Sequence, residues 1–284
     1  MKLLLTILLI ANFSIQAKTL VISDIDDTLK RTNVLGYFTG GISATNPFIG
    51  LPELFNDFLC NEEPTQEAAD YCRKFRGHNH SAKRSLIYVT AASGRLQLFG
   101  REFISRSNFP QVTVVGKDSG EDTLEYKTRT VKEIIQGGEY DEIILIGDNG
   151  QHDARAYKAV SDFFPNKKIT TYIHQVYNPY GFYKDDEKKG VELEEGQIAY
   201  FTASDLGLEF FSKGLITEKQ LISISKEVSK YILSSNDELY EQVIPEWSSC
   251  KPFIANYQRP KVEVSKETAI ILNSIEKRMK RLCR

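Results

Sequence analysis

Five short stretches of the chain are mainly apolar and do not alternate strictly with charged residues: residues 19–23, 85–90, 112–115, 142–146 and 170–174. Runs that are continuous rather than alternating belong to strands buried on both faces, as in a parallel sheet. Between them the spacing changes to three and four. Leu51, Leu54, Phe55 and Phe58 share one helical face, a second helix opens at Leu96 just after Gly94, and Thr130, Val131, Ile134 and Ile135 mark a third from Lys127. A fourth runs from Ala154 to Phe163. Strand and helix alternate, which predicts an α/β fold, a doubly wound parallel sheet with right-handed crossovers.

Beyond residue 183 the pattern shifts. The charged run KDDEKKG, residues 184–190, reads as a solvated linker. Thr217 and Gln220 then form a capping box that opens a helix to about Leu233. Ile271, Ile275, Met279 and Leu282 stripe a last helix over 265–282, whose basic end complements the helix C-terminus. The expected organisation is a core over 18–184 and a mostly helical C-terminal appendage over 185–284.

The first 17 residues stand apart. Lys2, a short apolar run and a small residue at Ala17 describe a secretory signal peptide over 1–17. The run is about half the ~20 residues that cross a bilayer, so the mature chain is expected to carry no transmembrane segment. Export places the protein in the periplasm or outside the cell. There Cys60, Cys72, Cys250 and Cys283 are expected to form disulfides. Three pairings are possible, and sequence order favours Cys60–Cys72 with Cys250–Cys283. A net charge of −2 and a pI near 6.2 argue against a general nucleic-acid binder.

The remaining chemistry gathers where predicted strands end. Residues 22–29 read ISDIDDTL, with Asp24, Asp26 and Asp27 within four positions of the first strand. Ligands of open parallel sheets bind at the carboxyl ends of the strands. Carboxylates crowded there are tolerable when a divalent cation neutralises them, and Mg²⁺ prefers such hard oxygen ligands. Asp148 follows the fourth strand in IGDNGQHD, and Asp153 starts the next helix. Thr90 ends the second strand, where its hydroxyl and the amides after it, beginning with Ala91, suit a phosphoryl oxygen. The Lys127 ammonium would offset the charge of phosphate and nucleophile. His152 lies close enough to Asp153 to contact a substrate. A Gly-rich stretch, residues 35–41, reads as a flap or surface loop, and His78 and His80 as parts of a solvated loop.

In this order, Asp24-Ile25-Asp26-Asp27-Thr28, Thr90, Lys127 and Gly147-Asp148 with Asp153 resemble the four motifs of the haloacid dehalogenase superfamily. The stretches DIDDTLKRTNV, NPFIGLPELF and LIGDNGQHDARAY are similar to the actin-patch-associated phosphatidate phosphatase family and its bacterial relatives, over roughly residues 19–180. The resemblance implies a Mg²⁺-dependent phosphatase working through an aspartyl-phosphate. Asp24 would be the nucleophile and Asp26 the general acid and base. Thr28 would brace the loop, and Thr90 and Lys127 would hold the phosphoryl group. Asp24, Asp148, Asp153 and the main-chain carbonyl of Asp26 would hold the metal. The implied substrate is a phosphomonoester, with phosphatidate at a membrane surface leading. A small soluble ester, or a catalytically silent phosphate-binding protein, are the alternatives. Asn149 stands where the family usually has Ser, a departure that bears on the substrate more than on the chemistry.

Overall fold

The computed structural model describes residues 18–36, 46–61, 65–74, 83–180 and 190–283. The expected signal peptide, the flap beyond Gly36, His78 with His80, and the linker up to residue 189 lie outside the described residues.

Six parallel strands form one sheet: β1 (Thr19–Ser23), β2 (Arg84–Ser93), β3 (Val114–Lys117), β4 (Glu142–Asp148), β5 (Lys168–His174) and β6 (Ile198–Tyr200). Their order is β3-β2-β1-β4-β5-β6. The chain starts in the middle and winds outward in both directions, as the alternating pattern predicts. Helices cover both faces. Leu20 and Ile22 of β1, with Ile143 and Leu145 of β4, pack under α4 (Thr123–Gln136) and α5 (Asp153–Phe163). Val21, Ile144 and Ile146 face the other way, toward α1 (Leu51–Cys60), α3 (Leu96–Arg106), α6 (Ala203–Ser212), α7 (Glu218–Ile232) and α10 (Lys266–Leu282). Successive side chains of a strand point to opposite faces, and here both faces are core. Each buried aliphatic side chain contributes about 1.5–3 kcal/mol, which is why the middles of β1 and β4 are wholly apolar and their polar residues stand at the strand ends.

The sixth strand is a difference from the expected pattern. It has three residues and comes from the stretch read as a helical appendage; so short an apolar segment has no period to detect. β3 sits two residues later than expected, and β2 runs three residues past Thr90, with an irregular register against β3 between Thr90 and Ser93. All six predicted helices are present, and so is the capping box of the tail. Thr217 accepts from the Gln220 amide while the Gln220 side chain accepts from the Thr217 amide. Cys60 is bonded to Cys72 and Cys250 to Cys283, and no cysteine is free. No helix among the described residues is long and apolar enough to cross a membrane.

Candidate active site

The middle of the sheet explains how distant carboxylates meet. Ser23 is level with Tyr88 of β2 on one side and Ile146 of β4 on the other, and the Asp24 amide donates to the Ile146 carbonyl at 2.9 Å. Asp24, Thr90 and Asp148 therefore lie one, two and two residues beyond the same level, on one edge of the sheet. Asp148 is the last residue of β4, and Asp153 is the first residue of α5. Carboxylate oxygens of Asp24, Asp148 and Asp153 all fall within 4.8 Å of one another, and all three residues are buried. Asp153 does not cap its helix; His152 holds that position without a side-chain cap bond. Instead Asp153 accepts from the Asp148 amide at 3.3 Å.

Lys127 enters from α4. Asp122 caps that helix by accepting from the Glu125 amide, so it begins four residues ahead of Lys127 and sets the lysine on its second turn. The ammonium donates to Asp24 at 2.7 Å and to Asp153. Three carboxylates against one ammonium leave a formal charge of −2 in a buried space. Burial lifts Asp24 to about 8, with Lys127 pulling it down and Asp153 and Asp26 adding to the rise. Burial and the neighbouring acids Asp153 and Asp24 push Asp148 well above the usual carboxylate range. Burial alone would lower Lys127; Asp153, Asp24 and Asp148 outweigh it and hold the ammonium above its ordinary value. An all-oxygen set with a charge of −2 fits a hard divalent cation.

Glycines make room for the cluster. A Cβ at Gly147 would lie 2.6 Å from both the Cβ and Oδ2 of Asp153. At Gly150 it would lie 2.7 Å from Asp148 Oδ1, the atom that accepts from the Gly150 amide.

Asp26 stands outside this cluster. Its half-buried carboxylate accepts from the Thr32 hydroxyl at 2.9 Å and from the buried Lys30 ammonium at 3.4 Å. The metal contact expected of Asp26 is through its main-chain carbonyl, not this group. Thr90 is buried and its hydroxyl oxygen accepts from the Ala92 amide at 3.1 Å; Ala91 between them is half-buried. The buried hydroxyl of Thr28 and Nδ1 of His152 have no hydrogen-bond partner among the described residues. Burial lowers His152 below the usual histidine range.

Sequence reasoning missed the groups that hold the loop. Asp27 is buried at φ +58, in the left-handed region, and its carboxylate accepts from the amides of Thr32, Asn33 and Val34 and from the Tyr177 hydroxyl. The ring of His174, at the end of β5, touches the carbonyls of Asp27 and Thr28 with Nδ1 (3.0 and 3.2 Å) and that of Phe201 with Nε2 (2.8 Å). Burial drops His174 to about 4, against the upward pull of those carbonyls. Arg31 donates to the Glu241 carbonyl and the Gln242 side chain, just past the short helix α8 (Asp237–Tyr240). Trp247 packs on Tyr177, with ring centroids 5.4 Å apart. Asn149 bridges segments too: it donates to the carbonyls of Tyr177 and Val191 and accepts from the Tyr177 amide. A serine is too short for that bridge. The one local signal was the density of polar residues in DDTLKRTN.

Residues 19–175 match the family model described as phosphatidate phosphatase APP1, catalytic domain. No curated protein matches the chain. Among solved structures, the UDP-GlcNAc 2-epimerase from Neisseria meningitidis bound to UDP-GlcNAc is similar at 9% identity and a TM-score of 0.34, covering 93% of this chain and 69% of that one. So low a score bears on neither fold nor function.

Proposed function

We propose, for a chain that belongs to the phosphatidate phosphatase APP1 catalytic-domain family, that it is an exported, Mg²⁺-dependent phosphatase of haloacid dehalogenase type acting on a phosphatidate-like lipid. The family is one of phosphatases; the compartment, the cation, the mechanism and the substrate are the finer reading. The observation that carries it is the buried set Asp24, Asp148 and Asp153 with Lys127, drawn from four separate elements to one edge of the sheet.

In this reading the Asp24 carboxylate attacks phosphorus, and the bond from phosphorus to the leaving alcohol oxygen breaks. Asp26 gives that oxygen its proton. Asp26 then takes a proton from water, whose oxygen attacks the aspartyl-phosphate and frees phosphate and Asp24. Lys30 and Thr32 steer the Asp26 carboxylate between these tasks. The Thr90 hydroxyl and the Ala91 amide receive a phosphoryl oxygen, and Lys127 offsets the charge that develops there. Thr28 braces the loop, and His152 contacts the substrate from the first turn of α5. Asp24, Asp148, Asp153 and the Asp26 carbonyl would hold Mg²⁺, which when bound neutralises the charge that nucleophile and phosphoryl oxygens bring together. The core over 18–184 supplies the chemistry, and the appendage over 185–284 braces it.

The test is phosphate release from phosphatidate in mixed micelles beside a panel of soluble phosphomonoesters, with Mg²⁺, with chelator and with Asp24→Asn. Mg²⁺-dependent release from phosphatidate, lost in the variant, is the expected result. Release from soluble esters alone would keep the mechanism and discard the lipid. Silence across the panel would leave a phosphate-binding protein.

A further inference from the structure

Large apolar side chains exposed one at a time are ordinary on a soluble protein, whereas several together mark an interaction surface. Leu96, Leu98 and Phe99 are 38%, 61% and 39% exposed, three of four consecutive residues in the first turn of α3. The residue between them, Gln97, turns inward and donates to the Lys117 carbonyl at 2.9 Å, which fixes the turn with the other three facing out.

The place of this turn is as telling as its composition. β2 carries Thr90 and ends at Ser93, and Gly94 (φ +56) redirects the chain straight into Arg95 and α3. The turn thus begins at the carboxyl edge of the sheet. One residue after Phe99, Gly100 packs on Ile25: a Cβ there would lie 3.4 Å from Ile25 Cδ1. Ile25 is the residue between Asp24 and Asp26. Further along, Lys30 lies 5.9 Å from the ring centroid of Phe103. The apolar turn stands beside the catalytic loop, on the rim of the site.

Charge narrows the occupant. Arg95 and Arg101 flank the turn, are exposed and have no acidic partner among the described residues. The nearby acid, Glu102, is engaged with Arg106 at 2.7 Å. The chain as a whole carries −2, so this cationic edge is local. Apolar side chains ringed by unpaired guanidiniums complement an anionic lipid surface, where the side chains enter the headgroup layer and the cations remain in it.

We infer that the first turn of α3, through Leu96, Leu98 and Phe99 with Arg95 and Arg101, docks the protein on an anionic bilayer and brings the site rim to the lipid headgroups. The inference rests on the lipid reading of the substrate. It explains how a buried carboxylate cluster reaches an ester anchored in a membrane: the docking turn and the nucleophile loop are packed on each other.

The experiment pellets the full chain with phosphatidylcholine vesicles, with and without phosphatidylglycerol, in the presence of chelator so that no turnover is needed. Wild type is expected to pellet with the anionic vesicles and to be released by salt. Leu98→Glu with Phe99→Glu should weaken pelleting by at least about tenfold. The same variant should keep wild-type turnover of p-nitrophenyl phosphate and lose turnover of vesicle phosphatidate. A second pair, Leu98→Ser with Phe99→Ser, and its melting temperature guard against a folding defect. Equal pelleting of wild type and both variants, or a wild type that stays in the supernatant, overturns the inference. So does a wild-type dimer that the substitutions make monomeric, which would assign the face to a second copy. Vesicle binding without phosphate release from any ester would instead remove the phosphatase reading and leave the docking intact.

Discussion

The sheet and the helical tail meet at one loop, residues 24–34, and hold it in different ways. The sheet presents side chains: Asp24, Asp148 and Thr90 project from neighbouring strand ends, and Lys127 and Asp153 from the helices that follow. The tail presents restraints. Glu241 and Gln242 receive Arg31, and Trp247 packs on Tyr177, whose hydroxyl donates to Asp27. Phe253 lies against Phe201, whose carbonyl meets His174 under the same loop. A cluster with a surplus of negative charge repels itself, so the loop that carries it needs anchors that bear no part of the charge. In the proposed reading, reactivity and rigidity come from separate parts of the chain.

The difference can be broken from either side. The largest effect is expected from the sheet: if Asp24 is the nucleophile as proposed, Asp24→Asn should lower phosphate release by at least about a thousandfold while circular dichroism stays native. Gly147→Ala keeps every reactive group but sets a methyl 2.6 Å from Asp153 Oδ2. Displacing that carboxylate should cost about a hundredfold in kcat/KM, with a parallel rise in the Mg²⁺ concentration needed for half-activity.

Breaking the tail should act on stability and activity together. The bond between Cys250 and Cys283 closes a separation of 33 residues, against 12 for Cys60 and Cys72. Loop entropy assigns them about 4 and about 3 kcal/mol. Cys250→Ser with Cys283→Ser should therefore lower the melting temperature more, and should also lower kcat, whereas Cys60→Ser with Cys72→Ser should leave kcat unchanged. Tyr177→Phe removes one donor from a buried carboxylate and should cost about 1–3 kcal/mol in denaturant unfolding.

The last effect is one of pH and is absent at neutrality. His174 is held near 4 when folded against an ordinary 6.5, so between those values the unfolded chain binds a proton that the folded chain refuses. His174 therefore lowers stability as pH falls from about 6.5 to about 4, and its deficit is constant below that. Melting temperatures across that window should fall in wild type and fall less in His174→Gln.

What the sequence shows of this division is uneven for a physical reason. β1 and β4 are evident because burial on both faces writes an unbroken apolar run, and Asp24 and Asp148 are visible at their ends because carboxylates are out of place there. Lys127 is evident as a residue, though the helix that carries it starts earlier, at a cap of ordinary composition. Tyr177, His174 and Arg31 have no such signature. Their most distant partners lie 142 to 211 residues away and include main-chain carbonyls, which any residue can provide. β6 is hidden by its length, three residues that pair at the sheet edge only because β5 is already there.

The second disulfide has a consequence in time. In a chain made from its first residue onward, every strand of the sheet has been synthesised once Tyr200 has appeared, and the carboxylates can gather then. The partner of Cys250 appears only at Cys283. The site can thus gather before the covalent tie of its brace can exist, and the bond between Cys250 and Cys283 is the last link of the brace that can close.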